Sequence, residues 1–99
     1  MFKVKDDLGF NFEYFIDSEG VRVTVCEIYE ISEGLSPDVS LYRRVGLGIA
    51  TCSLKDHYNK AIGRKLALAR AIINYNPVKD AELRQSIWDV FFNNCKIAV

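Results

Sequence analysis

"VGLGIATCSLKDHYNKAIGRKLALARAI", Val45–Ile72, changes its periodicity part-way along. Its first part alternates. Val45, Leu47 and Ile49 fall on one side of an extended chain, and Gly46, Gly48, Ala50 and Cys52 on the other. Beyond it Tyr58, Ile62, Leu66, Ala69 and Ile73 recur at helical spacing. A strand therefore runs into an amphipathic helix. The Tyr58–Ile73 stripe is expected to lie largely buried on a sheet, with Ala61, Leu68, Ile72 and Tyr75 adjoining it. On that reading Leu66→Ala would remove about 2–5 kcal/mol. Ser53 and Asp56 resemble a capping box at the helix start. Pro77 disfavours helical geometry at Asn76 and stops the helix there. Gly63 inside it costs about 1 kcal/mol relative to Ala, which points to close approach of helix and sheet.

Outward from this unit, Phe10, Phe12, Tyr14 and Ile16 alternate, and Val21, Val23 and Val25 do the same. Between them "DSEG" offers a turn, with Gly20 available for positive φ. This predicts a hairpin, followed by the breaker-rich loop "SEGLSPDVS" at 32–40. A second helix is predicted over about 79–93, with Leu83, Ile87 and Val90 or Phe91 as its core stripe. The expected fold is α+β: one domain, residues 1–99. A three-stranded antiparallel sheet, 10–16, 21–31 and 41–52, is followed by two C-terminal helices, 54–75 and 79–93, the longer packed on the sheet. Ninety-nine residues suit a single core.

The charge is unevenly placed. Residues 1–40 hold three basic and nine acidic side chains, residues 41–70 seven basic and one acidic, and residues 71–99 three of each. The net charge of zero therefore conceals a dipolar chain. Lys55, His57, Lys60 and Arg64 collect near the predicted helix start, where orphan N–H groups and the helix dipole favour anions, and Arg43 and Arg44 precede them on the strand. These six are the candidate phosphate or nucleic-acid-binding residues, with Lys60 and Arg64 expected to be exposed. The acidic hairpin, folded beside them, would neutralise part of the charge.

Other chemistry finds little footing. Cys26, Cys52 and Cys95 are an odd number, far apart, without a C-x-x-C, and read as free thiols in a reducing compartment; Cys52 alone has basic neighbours. With one histidine, a zinc site lacks its usual ligands. Glu13, Asp17, Glu27 and Glu30 read as a solvated hairpin face. Asp56 and His57 are sequence neighbours and point about 100° apart on a helix, so they form no relay. The expectation is a non-enzymatic protein with no catalytic residues, metal or cofactor. "MFKVKDDLGF" has no signal-peptide core and no apolar run approaches a bilayer span, so a complete, cytoplasmic chain is expected, in the host cell if phage-encoded.

The segment "RRVGLGIATCSLKDHYNKAIGRKLALARAI" resembles the closing strand and helix of small bacterial and tailed-phage proteins with a double-stranded-RNA-binding-domain-like fold. The residues that carry the resemblance are Asp56, the Ile62–Gly63 pair, Ala67 or Ala69, Arg70 and Ala71, over about 30 residues. In RNA-binding relatives basic residues at the start of this helix grip phosphates, and the resemblance implies that role for Lys55, Lys60 and Arg64. Those relatives carry a helix before their strands, whereas this chain reads as placing an extra helix after them.

Two functions follow. One is a small protein-binding module, of the phage-type inhibitor or regulator kind. It would act through Trp88, Phe91 and Phe92 on the second helix, with Trp88 as anchor, against a host protein or a second copy. The alternative is a nucleic-acid-binding module that uses the basic 53–70 segment.

Overall fold

The computed structural model describes residues 1–52, 59–75 and 80–94. Four strands, β1 (Phe2–Lys5), β2 (Leu8–Ile16), β3 (Arg22–Glu33) and β4 (Ser40–Cys52), precede two helices, α1 (Lys60–Tyr75) and α2 (Ala81–Asn94). The strands form one antiparallel sheet in sequence order, β1-β2-β3-β4. The α+β class with two C-terminal helices is as expected, but the sheet has four strands where the sequence pattern predicted three. The additional one is β1, whose Phe2 and Val4 alternate with Lys3 and Lys5. Two apolar positions are too few to register as a period. Tertiary packing fixes the strand instead, with the Phe2 ring 5.2 Å from Phe10 and 6.1 Å from Phe12.

The β2–β3 turn forms as its residues dictate. Asp17 Oδ1 accepts from the backbone N–H groups of Glu19 (2.8 Å) and Val21 (2.9 Å), and Gly20 has φ 83°. Along β2 and β3, the register Phe10↔Ile28, Phe12↔Cys26 and Tyr14↔Thr24 sets one sheet face, continued on β4 by Gly46, Gly48 and Ala50. A bulge between Ile28 and Tyr29 shifts the β3–β4 register before Arg44. Both helices cover this face. The core is Leu8, Phe10, Cys26, Ile28, Ala50, Ala67, Leu68, Ala71, Ile72, Ile87 and Phe91.

Asn59 caps α1: its Oδ1 accepts from the N–H groups of Ala61 (3.0 Å) and Ile62 (3.2 Å). The helix therefore begins at Lys60, later than the expected residue 54. The Ser53–Asp56 capping box, like Tyr58, lies outside the described residues. Asp80 caps α2 in the same way, through Leu83 N–H at 3.0 Å.

The orientation of α1 differs from expectation. Its buried residues are Ala67, Leu68, Ala71 and Ile72, whereas Ile62, Leu66 and Ile73 are 53%, 45% and 64% exposed. The reason lies on β4. A Cβ on Gly46 would stand 2.8 Å from the Ala71 carbonyl oxygen, and one on Gly48 would overlap the backbone of Ala67 and Ala71. The helix backbone sits directly on a glycine track, and only alanines fit between them. Larger side chains are displaced: Leu68 and Ile72 go to the core, and the Ile62–Leu66–Ile73 stripe to solvent. Gly63 serves the same approach, facing Thr24 Oγ1. Leu66→Ala should accordingly cost below about 1 kcal/mol in urea unfolding, since surface substitutions away from packing are nearly neutral. A loss of 2 kcal/mol or more would contradict this orientation.

α1 also closes the edge of the sheet. Asn74 Oδ1 accepts from Leu47 N–H at 3.0 Å, and Arg70 Nη1 donates to the Ile49 carbonyl at 2.6 Å. Two outward backbone groups of edge strand β4 are thereby satisfied by side chains, which blunts pairing with another chain. Among the described residues no helix is long and apolar enough to cross a membrane.

Candidate interaction surface

The basic residues grouped by sequence are separated in space. Arg43 Nη2 pairs with Glu30 Oε2 at 2.8 Å across β3–β4. Together with Lys5, Asp7 and Tyr75 they line an open groove of about 610 Å³ near the end of α1. Burial raises the Tyr75 phenol above its ordinary pKa, and the Glu30 carboxylate adds to this. Arg44 belongs to the uncovered sheet face. Its Nη1 lies 3.3 Å from Glu27 Oε2, to which Tyr29 donates its hydroxyl proton at 2.8 Å. That bond raises the Tyr29 pKa, and desolvation adds to it. Glu27 is almost buried, so its carboxylate needs both donors. The acidic and basic halves of the chain thus neutralise each other along β3–β4, as the charge pattern allowed.

Lys60 and Arg64 lie at the far end of the sheet. From the Glu30–Arg43 row to the Thr24–Ala50 row is six residues of β3, about 20 Å. Lys60 Nζ stands 4.2 Å from the Tyr14 ring centroid and Arg64 Cζ 5.8 Å, a cation–π arrangement. Lys60 is exposed as expected. Arg64 is not: it is half-buried, because it points down the sheet side of α1, and its Nε is buried without a hydrogen-bond partner among the described residues. Lys55 and His57 lie outside the described residues. No single face therefore gathers Arg43, Arg44, Lys60 and Arg64.

The aromatic helix divides as well. Phe91 is fully buried, with its ring 6.0 Å from Phe12, and so belongs to the core and not to an interface. The expected stripe is otherwise in place, with Ile87 buried and Leu83 and Val90 half-buried. Trp88 is half-buried, stacked on Phe92 at 5.7 Å and 25°, and Phe92 is 49% exposed.

Among the described residues, three exposed large apolar side chains share one face of α1, a face that sequence reasoning assigned to the core. Ile62, Leu66 and Ile73 line up along about 16 Å of α1. The signal that could have found it is the pairing of two tracks of small residues, Gly46-x-Gly48-x-Ala50 on the strand and Ala67-x-x-x-Ala71 on the helix. Where these meet, helix and strand touch by backbone, and the wide apolar face must turn. On the uncovered sheet face, Phe15 (51% exposed) and Ile49 (46%) flank the buried Val23 and Val25.

Among the described residues no group of three or more His, Cys, Asp or Glu is placed to hold a metal ion. Cys26 is buried and Cys52 half-buried. No protein-family model, curated protein or solved structure matches the chain.

Proposed function

We infer that the chain is a small non-enzymatic protein-binding module, suited to inhibiting or regulating a partner protein. The observation that carries this reading is the exposed stripe Ile62–Leu66–Ile73 on α1. Three large apolar side chains in line on one rigid helix gain nothing for the fold, and such surfaces mark interfaces. Trp88 and Phe92 add a second exposed aromatic position on α2. Phosphate binding is less well supported, because Arg43 and Arg44 already hold carboxylates and Lys60 and Arg64 are turned onto Tyr14.

The test is affinity capture with the immobilised chain from nuclease-treated lysate, alongside Ile62→Asp/Leu66→Asp. A protein retained after nuclease treatment and lost with the variant is the expected result. If the captured material disappears with nuclease, the nucleic-acid reading replaces this one. In that case Lys60→Ala with Arg64→Ala should reduce the salt slope of binding by about one unit per lost contact.

A further inference from the structure

We propose that the outward stripe of α1 receives an acidic amphipathic helix, a partner segment with apolar side chains at helical spacing and Asp or Glu on its flanks. This rests on the protein-binding reading and adds the chemistry of the partner.

At 100° per residue, Ala69, Ile62, Ile73 and Leu66 occupy one narrow sector of α1, opposite the sheet-facing Ala71 and Leu68. Lys65 borders this sector on one side and Arg70 on the other. The helix as a whole carries Lys60, Arg64, Lys65 and Arg70 and no acid. None of these four forms an ion pair among the described residues, whereas Arg43 and Arg44 on β4 are both paired. Three of the four sit in the first two turns, where the helix dipole disfavours positive charge. Lys60 and Arg64 are met by the Tyr14 ring, which leaves Lys65 and Arg70, on the two borders of the stripe, as the cations that a partner can meet. Arg70 is moreover held in place by its bond to the Ile49 carbonyl, which pre-organises that rim.

Charge complementarity selects the occupant. A second copy docked antiparallel about the centre of the stripe would set Lys65 beside the other molecule's Lys65 along one flank and Arg70 beside its Arg70 along the other, like-charge contacts on both sides. A phosphate backbone would satisfy the cations and leave Ile62, Leu66 and Ile73 without a counterpart. A helix with apolar anchors and acidic flanks satisfies both, and about three of its turns match the stripe.

The experiment uses two synthetic peptides of about 18 residues with identical leucines at helical spacing, one with Glu and one with Lys at the flanking positions. Binding to the full chain is followed by fluorescence anisotropy at low and physiological salt. The Glu peptide should bind, more weakly as salt rises, and the Lys peptide at least about tenfold more weakly. Leu66→Asp with Ile73→Asp should abolish binding with the circular dichroism spectrum unchanged. Lys65→Glu with Arg70→Glu should reverse the preference towards the Lys peptide; if that variant unfolds, Lys65→Glu alone should narrow it. Equal binding of both peptides, lost in the stripe variant, would overturn the acidic partner while leaving the protein-binding reading standing. A dimer in sedimentation that Leu66→Asp dissociates would do the same in favour of a second copy. If neither peptide binds while phosphatidylserine vesicles or duplex RNA do, through the same stripe, both readings fall.

Discussion

Gly48→Val should unfold the protein or cost it about 3 kcal/mol or more, and Gly48→Ala should already be severely destabilising. In an open strand the second change would stabilise by about 0.5–1 kcal/mol, because glycine loses more backbone freedom on folding than alanine. The sign therefore decides. At Gly48 the added Cβ overlaps the carbonyl oxygen of Ala67 and the amide nitrogen of Ala71. Both are backbone atoms of a helix and cannot rotate aside as the end of a side chain would. Relief requires lifting α1 from β4, which also strains the Asn74 and Arg70 bonds to the strand edge. Against a total stability of about 5–15 kcal/mol, the loss is a large share. Urea unfolding followed by circular dichroism measures it, with Ile49→Ala as the neighbouring control on the uncovered face. If Gly48→Ala is as stable as the parent, α1 does not sit on this track.

The same contact explains what was legible in the sequence. Alternation placed β2, β3 and β4 within one to two residues, and helical spacing found both helices, since each carries several apolar residues in its period. β1 escaped because four residues hold too little pattern, and it exists through Phe2 packing on Phe10 and Phe12. The rotation of α1 escaped for a different reason. A hydrophobic wheel weighs side chains by apolarity, so isoleucine and leucine outrank alanine. Packing weighs them by fit, and a glycine track admits only alanine. Close approach, expected from Gly63, holds there and is tightest at Gly48, but its consequence for the helix face runs against the ranking of side chains by hydrophobicity.

Charge shows the same limit. The segment sums leave open whether acids of the hairpin meet bases of β4; in the fold Glu30–Arg43 and Glu27–Arg44 do. They could not tell that the bulge after Ile28 and the register divide these pairs between different parts of the sheet. Nor could they separate Lys60 and Arg64, turned onto Tyr14, from Lys65 and Arg70, which rim the outward stripe. Of the six candidates, the four among the described residues fall into three separate groups, and Lys65, outside the six, is an exposed cation where Arg64 is half-buried.

Phe91→Ala should cost about 3–5 kcal/mol, and Phe92→Ala less than about 1 kcal/mol, although the two residues are adjacent. Phe91 is fully buried and its ring meets Phe12 at 6.0 Å, Trp88 at 5.7 Å and Phe92 at 5.3 Å. Truncation leaves a cavity between α2 and β2 that rigid neighbours cannot collapse, so the lost transfer energy and the cavity add. Phe92 stacks on Trp88 and meets Phe91 edge to face while remaining 49% exposed, so its removal forfeits ring contacts of about 0.5–1.5 kcal/mol, partly regained by hydration, and leaves no closed cavity. The contrast bears on function. If α2 docks a partner, Phe92→Ala weakens the complex and spares the fold, while Phe91→Ala lowers both. Urea midpoints for the two variants, read beside the Trp88 emission maximum, give the answer. Phe92→Ala should shift the emission to longer wavelength by uncovering the indole, with little change in midpoint. Two variants of equal stability would mean that Phe91 is not the core residue of this helix.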